Sequence, residues 1–155
     1  MKLSIEFLVD YPNLVSHLAT WFYEEWGRRN PVNSLEKIEQ RLQGRMNRDS
    51  LPITLIGFLD GKLVASASIK ICEMVTHPQY KYWLGAVYVD GAHRGKGFGS
   101  QIVLRTALEA KRLGVRNLYL YTRSHEDFYS HLDWKPIERP HYRGREVVIM
   151  KQGLN

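Results

Sequence analysis

From Tyr82 to Gly114 the chain passes from an apolar run, WLGAVYV, through Asp90-Gly91-Ala92 and the turn HRGKGFG into a helix-like run, SQIVLRTALEAKRLG. No other feature of the sequence restricts the fold as tightly. A second apolar run, RNLYLYT, follows soon after. A strand at 82–89, a helix at 98–113 and a strand at 117–121 therefore form one βαβ unit whose strands lie parallel. Gly95, Gly97 and Gly99 fall at every second position of the turn, with Arg94 and Lys96 among them. Glycine lacks the Cβ that would hold a ligand away from the backbone. A helix N-terminus offers unpaired N–H groups and the positive end of the helix dipole, and an anion set there is held by backbone donors. Strand, glycine-rich turn and helix are thus the ingredients of a pyrophosphate cradle, with two cations to reinforce it. A flexible basic turn ahead of a helix is the plainer reading of the same residues.

Two nucleotide-binding patterns do not fit. A Walker A loop needs a glycine five residues before its Gly-Lys pair and Ser or Thr after it, but here Asp90 leads and Gly97 follows. A dinucleotide fingerprint needs Gly-x-Gly-x-x-Gly and an acid about 20 residues later, but here the spacing is Gly-x-Gly-x-Gly and the residue reached is Asn117.

Around this unit the pattern predicts a short strand over 2–9. A helix follows, with Val15, Leu18, Ala19, Phe22 and Trp26 on one side and Gly27 at its end, and a second helix runs from Ser34 to about Arg45. PITLIGFLDGKLVASASIKICEM reads as a hairpin turning at Asp60-Gly61, the favoured turn pair. Helix 98–113 carries Phe98, Ile102, Thr106, Ala110 and Leu113 on one side, with Gly114 capping its end. EDFYSHLD gives a short helix, and WKPIERPHYRGREVVIM a closing hairpin that turns near Arg143-Gly144. The expected fold is α/β, a mixed and mostly antiparallel sheet with helices on both faces.

The 155 residues read as one domain, 1–155. The composition, 44 % apolar and 25 % charged, is that of a soluble globular chain. A formal charge of +6 favours anionic partners without choosing among them. The one cysteine, Cys72, excludes an internal disulfide framework and a multi-cysteine metal site and fits a reducing compartment. It is expected within a strand, as a small buried hydrophobe rather than a nucleophile. Glu6 and Asp10 interrupt the stretch where a signal peptide would be apolar. No apolar run approaches the roughly 20 residues that span a bilayer. The expected location is the cytoplasm.

The run Arg94-Gly95-Lys96-Gly97-Phe98-Gly99 resembles the acetyl-CoA pyrophosphate loop of the GCN5-related N-acetyltransferase (GNAT) superfamily, Arg/Gln-x-x-Gly-x-Gly/Ala. VYVDGAH resembles that family's strand entering the loop, with Gly91 where proline is common. FYSHLDW resembles its Phe-Tyr-x-x-Leu-Gly-Phe segment. The element order matches along essentially the whole chain. The sequence departs from the family in three places. Asp133 stands where the family has Gly, at a site that favours a left-handed residue. Thr122 stands where many members have an Asn that touches the pantetheine arm. The strand WLGAVYV has no carboxylate, where several relatives carry their base.

The resemblance implies the acyl-CoA N-acyltransferase fold, with a splayed parallel pair and acetyl-CoA as co-substrate. By resemblance, the cofactor-binding strand segment is Val87, Tyr88 and Val89. Backbone groups of Val87 and Val89 would pair with pantetheine, and an N–H near Val87 would face the thioester oxygen. Arg94, Gly95, Lys96, Gly97, Phe98, Gly99 and Ser100 would hold the pyrophosphate, and Thr122 the pantetheine arm. Tyr129 matches the family's acid and would protonate the departing thiolate; its plainer role is a core tyrosine beside Phe128. A free alkylamine has a pKa of about 10.4, so the acceptor must lose a proton before it attacks. Glu73 is the first candidate for that base, His93 and His77 the next. His17, His125 and His131 lack ligand spacing, so no metal is expected.

By resemblance, acceptor specificity is expected in the first two helices and the last hairpin, where Trp26, His141 and Tyr142 are the candidate substrate residues. The basic hairpin and net charge point away from polycationic acceptors and towards an acidic or neutral amine, a small molecule or a peptide N-terminus. The expected protein is a direct-transfer N-acetyltransferase, monomer or homodimer, with no nucleic-acid or membrane partner. The alternative is a regulatory module that binds acetyl-CoA without catalysis. A nucleic-acid binder, which the charge alone would allow, should cluster aromatics on a basic sheet face, whereas these cations are scattered.

Overall fold

The computed structural model describes residues 1–155. Along the chain come β1 (Ser4–Phe7), α1 (Val15–Phe22), α2 (Leu35–Gln43), β2 (Ile53–Leu59), β3 (Lys62–Ile71), β4 (Tyr82–Val89) and α3 (Phe98–Arg112). They are followed by β5 (Asn117–Thr122), α4 (Glu126–Ser130), β6 (Lys135–Glu138), β7 (His141–Tyr142), β8 (Arg145–Glu146) and β9 (Val148–Gly153). Seven strands form one sheet in the order β1-β2-β3-β4-β5-β9-β6, and β7 and β8 make a separate pair. Every neighbouring pair is antiparallel except β4 and β5.

Local chemistry accounts for the joints. Asp60 and Gly61 hold φ of 50° and 80°, the positive values that the two central residues of a tight hairpin turn need. The Ser34 hydroxyl accepts from the Lys37 N–H and starts α2. At the far end of α3, Val115 N–H bonds Ala110 O and Gly114 N–H bonds Lys111 O. This is a Schellman closure around Gly114, whose φ is 90°.

Alternation in the strands builds two cores. Leu55, Ala65, Ala67, Ile69 and Leu84 face α3, where they meet the buried Phe98, Ile102, Val103 and Ala110. Ile56 and Leu63 face the other way, onto Leu18, Phe22, Ile38 and Leu42 of α1 and α2. Full burial of Phe98 or Ile102 contributes roughly 1.5–3 kcal/mol each. The expected mixed sheet with helices on both faces is the observed one.

Four details differ from the sequence reading. The first strand stops at Phe7, because Leu8 leaves the ladder in a 3-10 turn and buries its side chain against the α1–α2 core. The first helix ends in a π-turn over Tyr23–Gly27. The wider turn slips the helical phase, so Trp26 leaves the buried stripe and is 48 % exposed. The closing hairpin does turn at Arg143-Gly144, with φ of 52° and 79°, but it is a two-residue ladder, and the sheet's own last pair is β6 with β9. Cys72 is exposed and lies beyond the end of β3, at φ 56°. The chain turns out of the sheet there, so the side chain has no core to enter.

Asp133, standing where a glycine was expected, has φ 68°. Asp133→Gly is expected to stabilise the protein by about 0.5–1 kcal/mol through relief of the left-handed strain. Urea unfolding would show this as a higher midpoint at unchanged slope.

Candidate active site

The parallel pair at the centre of the sheet does not stay paired. β4 and β5 are in register only at Trp83 opposite Tyr119. Beyond that point β4 carries a bulge: Ser68 faces Gly85 and Ser66 faces Tyr88, so Ala86 and Val87 together oppose Ala67. Ala86 has φ 50°, and its carbonyl accepts from the Ser66 hydroxyl at 3.2 Å. A bulge bends its strand and raises the local twist, so β4 and β5 part and leave a slot. Aromatic rings close its base. Trp83 is fully buried, its ring centroid 5.8 Å from Tyr119, and Tyr119 stacks on Tyr80 at 4.3 Å.

Val87 and Val89 pack towards the α3 core, whereas Tyr88 faces the α1 side. Tyr88 stacks on Trp21 at 4.9 Å, and Trp26 meets it edge-on at 5.9 Å. Arg94 folds back over this cluster. Its guanidinium lies 5.3 Å from the Tyr88 ring centroid, donates from Nε to Val89 O at 2.8 Å, and reaches Glu25 at 3.5 Å. Lys96 is exposed and makes no ion pair, so it is the cation that the turn leaves free.

At the mouth of the slot, Gly97 is the N-cap of α3 with φ 83°, and no side chain caps the helix. None of the loop and cap hydrogen bonds is donated by the amides of Gly95 to Ser100. Gly95 and Gly97 both hold positive φ, and nothing lies within 4 Å of where a Cβ would sit on either. Bare backbone, free donors, the positive end of a 15-residue helix and an unpaired lysine converge here. The residues fit a phosphorylated ligand. Phe98 anchors the start of the helix in the core at 1 % exposure. Gly99 lets another ring approach: a Cβ on it would stand 3.3 Å from Cζ of Phe128. That contact sets α4 beside the turn.

Tyr129 follows Phe128, with ring centroids 4.9 Å apart, and packs 6.2 Å from Trp134. Its hydroxyl makes no hydrogen bond within the protein. Burial pushes its pKa up to about 12, so it holds its proton at neutral pH. The Thr122 hydroxyl accepts from the His125 N–H at 3.1 Å, which turns the chain from β5 into α4.

On the α2 side, the slot borders a polar cleft. A Cβ on Gly85, next to the bulge, would lie 3.0 Å from Cε of Lys70. Lys70 pairs with Glu73 at 3.2 Å, and their side chains are 19 % and 27 % exposed. Burial, opposed by Glu73, pulls the Lys70 ammonium below its ordinary value. Arg41 and Arg45, at the end of α2, line the same cavity of about 310 Å³. Arg45 is half-buried, and its guanidinium makes neither a hydrogen bond nor an ion pair. Burial is the largest cause of the lowering of its pKa. The other base candidates are engaged elsewhere. His93 bonds Asp90 at 2.8 Å, and His77 bonds Thr76 and Glu138. His141 is exposed. Tyr142 is 8 % exposed, and its ring sits 5.4 Å from Tyr121 among Met74, Trp83 and Ile149. It belongs to a core cluster and so is not the exposed substrate contact that the sequence suggested.

Three residues of this constellation escaped the sequence reading: Arg45, Lys70 and Tyr121. The signal for Lys70 was the alternation Ser66, Ser68, Lys70 against Ala65, Ala67, Ile69. The two serines of that row are buried and bonded to Ala86 O and Thr54, and only Lys70 at its end reaches the cleft.

The family model described as the acetyltransferase (GNAT) family matches residues 12–133. Among solved structures, a GNAT-family acetyltransferase of Streptococcus pneumoniae superposes with a TM-score of 0.72 at 18 % identity, covering 99 % of this chain and 100 % of that one. Aminoglycoside 6'-acetyltransferase type Ii gives 0.74 at 20 %, covering 100 % and 98 %. An acetyltransferase of Salmonella typhimurium, solved with its cofactor acetyl-CoA, gives 0.68 at 17 %, covering 100 % and 95 %. At these identities the likeness is one of fold.

Proposed function

Since the chain belongs to the acetyltransferase (GNAT) family, we propose that it moves an acetyl group from acetyl-CoA directly to a primary amine of a small molecule or peptide N-terminus. The observation that carries this reading is the row of unengaged amides from Gly95 to Ser100, opening onto the slot between β4 and β5. Acetyl-CoA bound there would supply an activated thioester.

In this reading the chain's own groups have separate tasks. The amides of Gly95–Ser100 and the Lys96 ammonium hold the diphosphate. The β5-facing backbone of Val87 and the N–H of Val89, whose carbonyl already accepts from Arg94, have no strand partner and pair with the pantetheine amides, with Thr122 at the slot's other wall. An N–H beside the Ala86 bulge donates to the thioester oxygen. Glu73 takes the proton of the incoming amine, directly or through water, while Lys70 holds its carboxylate in place. Tyr129, partly buried and still protonated, gives its proton to the departing sulfur. Trp26 and His141 stand at the rims of the acceptor side.

Some solved neighbours act on aminoglycosides by name. Here Arg41, Arg45 and Lys70 line the cleft against Glu73 alone, a charge balance that disfavours a polycationic acceptor. Calorimetry with coenzyme A, followed by thiol-release assays over a panel of amines, tests the reading. Micromolar binding with amine-dependent thiol release is expected. Binding without release from any amine would favour the regulatory module, and no binding would remove the loop assignment.

A further inference from the structure

Resting on the acetyltransferase reading, we propose that the acceptor carries a carboxylate as well as its amine, and that Arg45 is the residue that reads it. The observation is a partly desolvated guanidinium with no partner. Elsewhere in the chain, arginines near a carboxylate use it: Arg139 forks onto Glu126, and Arg112 binds both Glu109 and Asp49. Arg45 lies close enough to Glu73 to feel its charge, yet Glu73 bonds Lys70 instead. A half-buried cation left in this state costs stability, a cost that a ligand anion would offset.

The surroundings select the chemistry. The cavity holds Arg41, Arg45 and Lys70 against one carboxylate, and Tyr121, which feels the Glu73 charge, also lies within reach of the Arg123 and Arg143 charges. An acceptor whose only charge is its ammonium meets net repulsion here. An acceptor with a carboxylate gains a planar, two-pronged partner, the geometry a guanidinium matches best. Lys70 joins the two places, because its side chain lies against Gly85 and lines the cavity that Arg45 also lines. The amine therefore sits at Glu73 and the slot, and the carboxylate sits outward, at the end of α2. That carboxylate comes either from the α-carboxyl of a free amino acid or from an acidic side chain at a peptide N-terminus.

The test uses four acceptors and two variants of the full chain. The acceptors are glutamate, its α,γ-diamide, and amidated tetrapeptides beginning Asp-Asp and Asn-Asn. The wild type is expected to prefer the carboxylated member of at least one pair by about 30-fold in kcat/KM, and the pair showing the preference identifies the source. Arg45→Gln is expected to erase most of that preference through KM, with kcat changed less than threefold, while Arg45→Lys restores part of it. Because the guanidinium is desolvated without a partner, Arg45→Gln is expected to keep the wild-type melting temperature or raise it, which separates lost recognition from lost folding. Calorimetry with the N-acetylated form of whichever acceptor shows the preference, N-acetylglutamate or the N-acetylated Asp-Asp tetrapeptide, in the presence of coenzyme A supplies a readout that needs no turnover. Binding by the wild type and not by Arg45→Gln supports the subsite. Equal binding by both, no binding by either, or no preference within either acceptor pair overturns it. Loss of coenzyme A binding itself would unseat the acetyltransferase reading instead.

Discussion

Gly97→Val is expected to lower coenzyme A affinity by at least about a hundredfold while the protein remains folded. Gly97 caps α3 at φ 83°, where a β-branched side chain is strained by roughly 1–3 kcal/mol. No atom lies within 4 Å of the new Cβ, so the side chain meets no clash in the fold and would project into the open space proposed for the diphosphate. Two losses combine: the backbone relaxes out of the left-handed region and misaims the amides of Phe98, Gly99 and Ser100, and the isopropyl group blocks the approach. Losing two charge-assisted hydrogen bonds already accounts for a hundredfold. Calorimetry measures the affinity and circular dichroism the fold. Unchanged affinity in a folded variant would sink the assignment of this turn.

Tyr129→Phe is expected to reduce kcat by roughly a hundredfold or more and to leave the KM for acetyl-CoA within about twofold. The substitution removes one oxygen that bonds nothing in the protein, so packing against Phe128 and Trp134 is kept. The pH dependence gives the second readout. Burial raises the phenol to about 12, so the donor form is fully present at neutral pH and is lost only as pH rises through that value. Between pH 6 and 10 the ratio of wild-type to variant rates should therefore stay flat. An unchanged kcat would mean that another group supplies the proton, whereas a ratio that falls from pH 8 upwards would mean that the phenol ionises well below about 12.

The βαβ unit was legible because its signals are local. Gly95, Gly97 and Gly114 mark backbone that only glycine adopts easily, and all three have positive φ. The apolar spacing of α3 gave its buried side directly. Asp133 was legible for the same reason, as a left-handed position filled by the next most tolerant kind of residue. The acceptor cleft was not legible, because it depends on pairings distant in sequence. Nothing near Arg45 says that it will share a cavity with Lys70 and Glu73, or that Lys70 will lie along Gly85. The π-turn that exposes Trp26 was hidden too: YEEWG continues the apolar spacing of a regular helix, and only the packing of α1 on α2 and the sheet reveals the slipped phase.

The single register point between β4 and β5 has a broader consequence. Past Trp83 and Tyr119 the molecule keeps two strand edges facing each other indoors. An exposed edge invites another chain to add itself, but here α3 packs against β3 and β4, and the proposed guest is a thin, amide-bearing arm rather than a strand. Such a guest would be read by main-chain geometry, not by side chains, so under the proposed function the identities at positions 87 and 89 would be free to drift so long as they still fill the core beneath. The same guest would knit β1–β4 to β5–β9–β6, so that each catalytic cycle would alternately stitch and unpick the middle of the sheet.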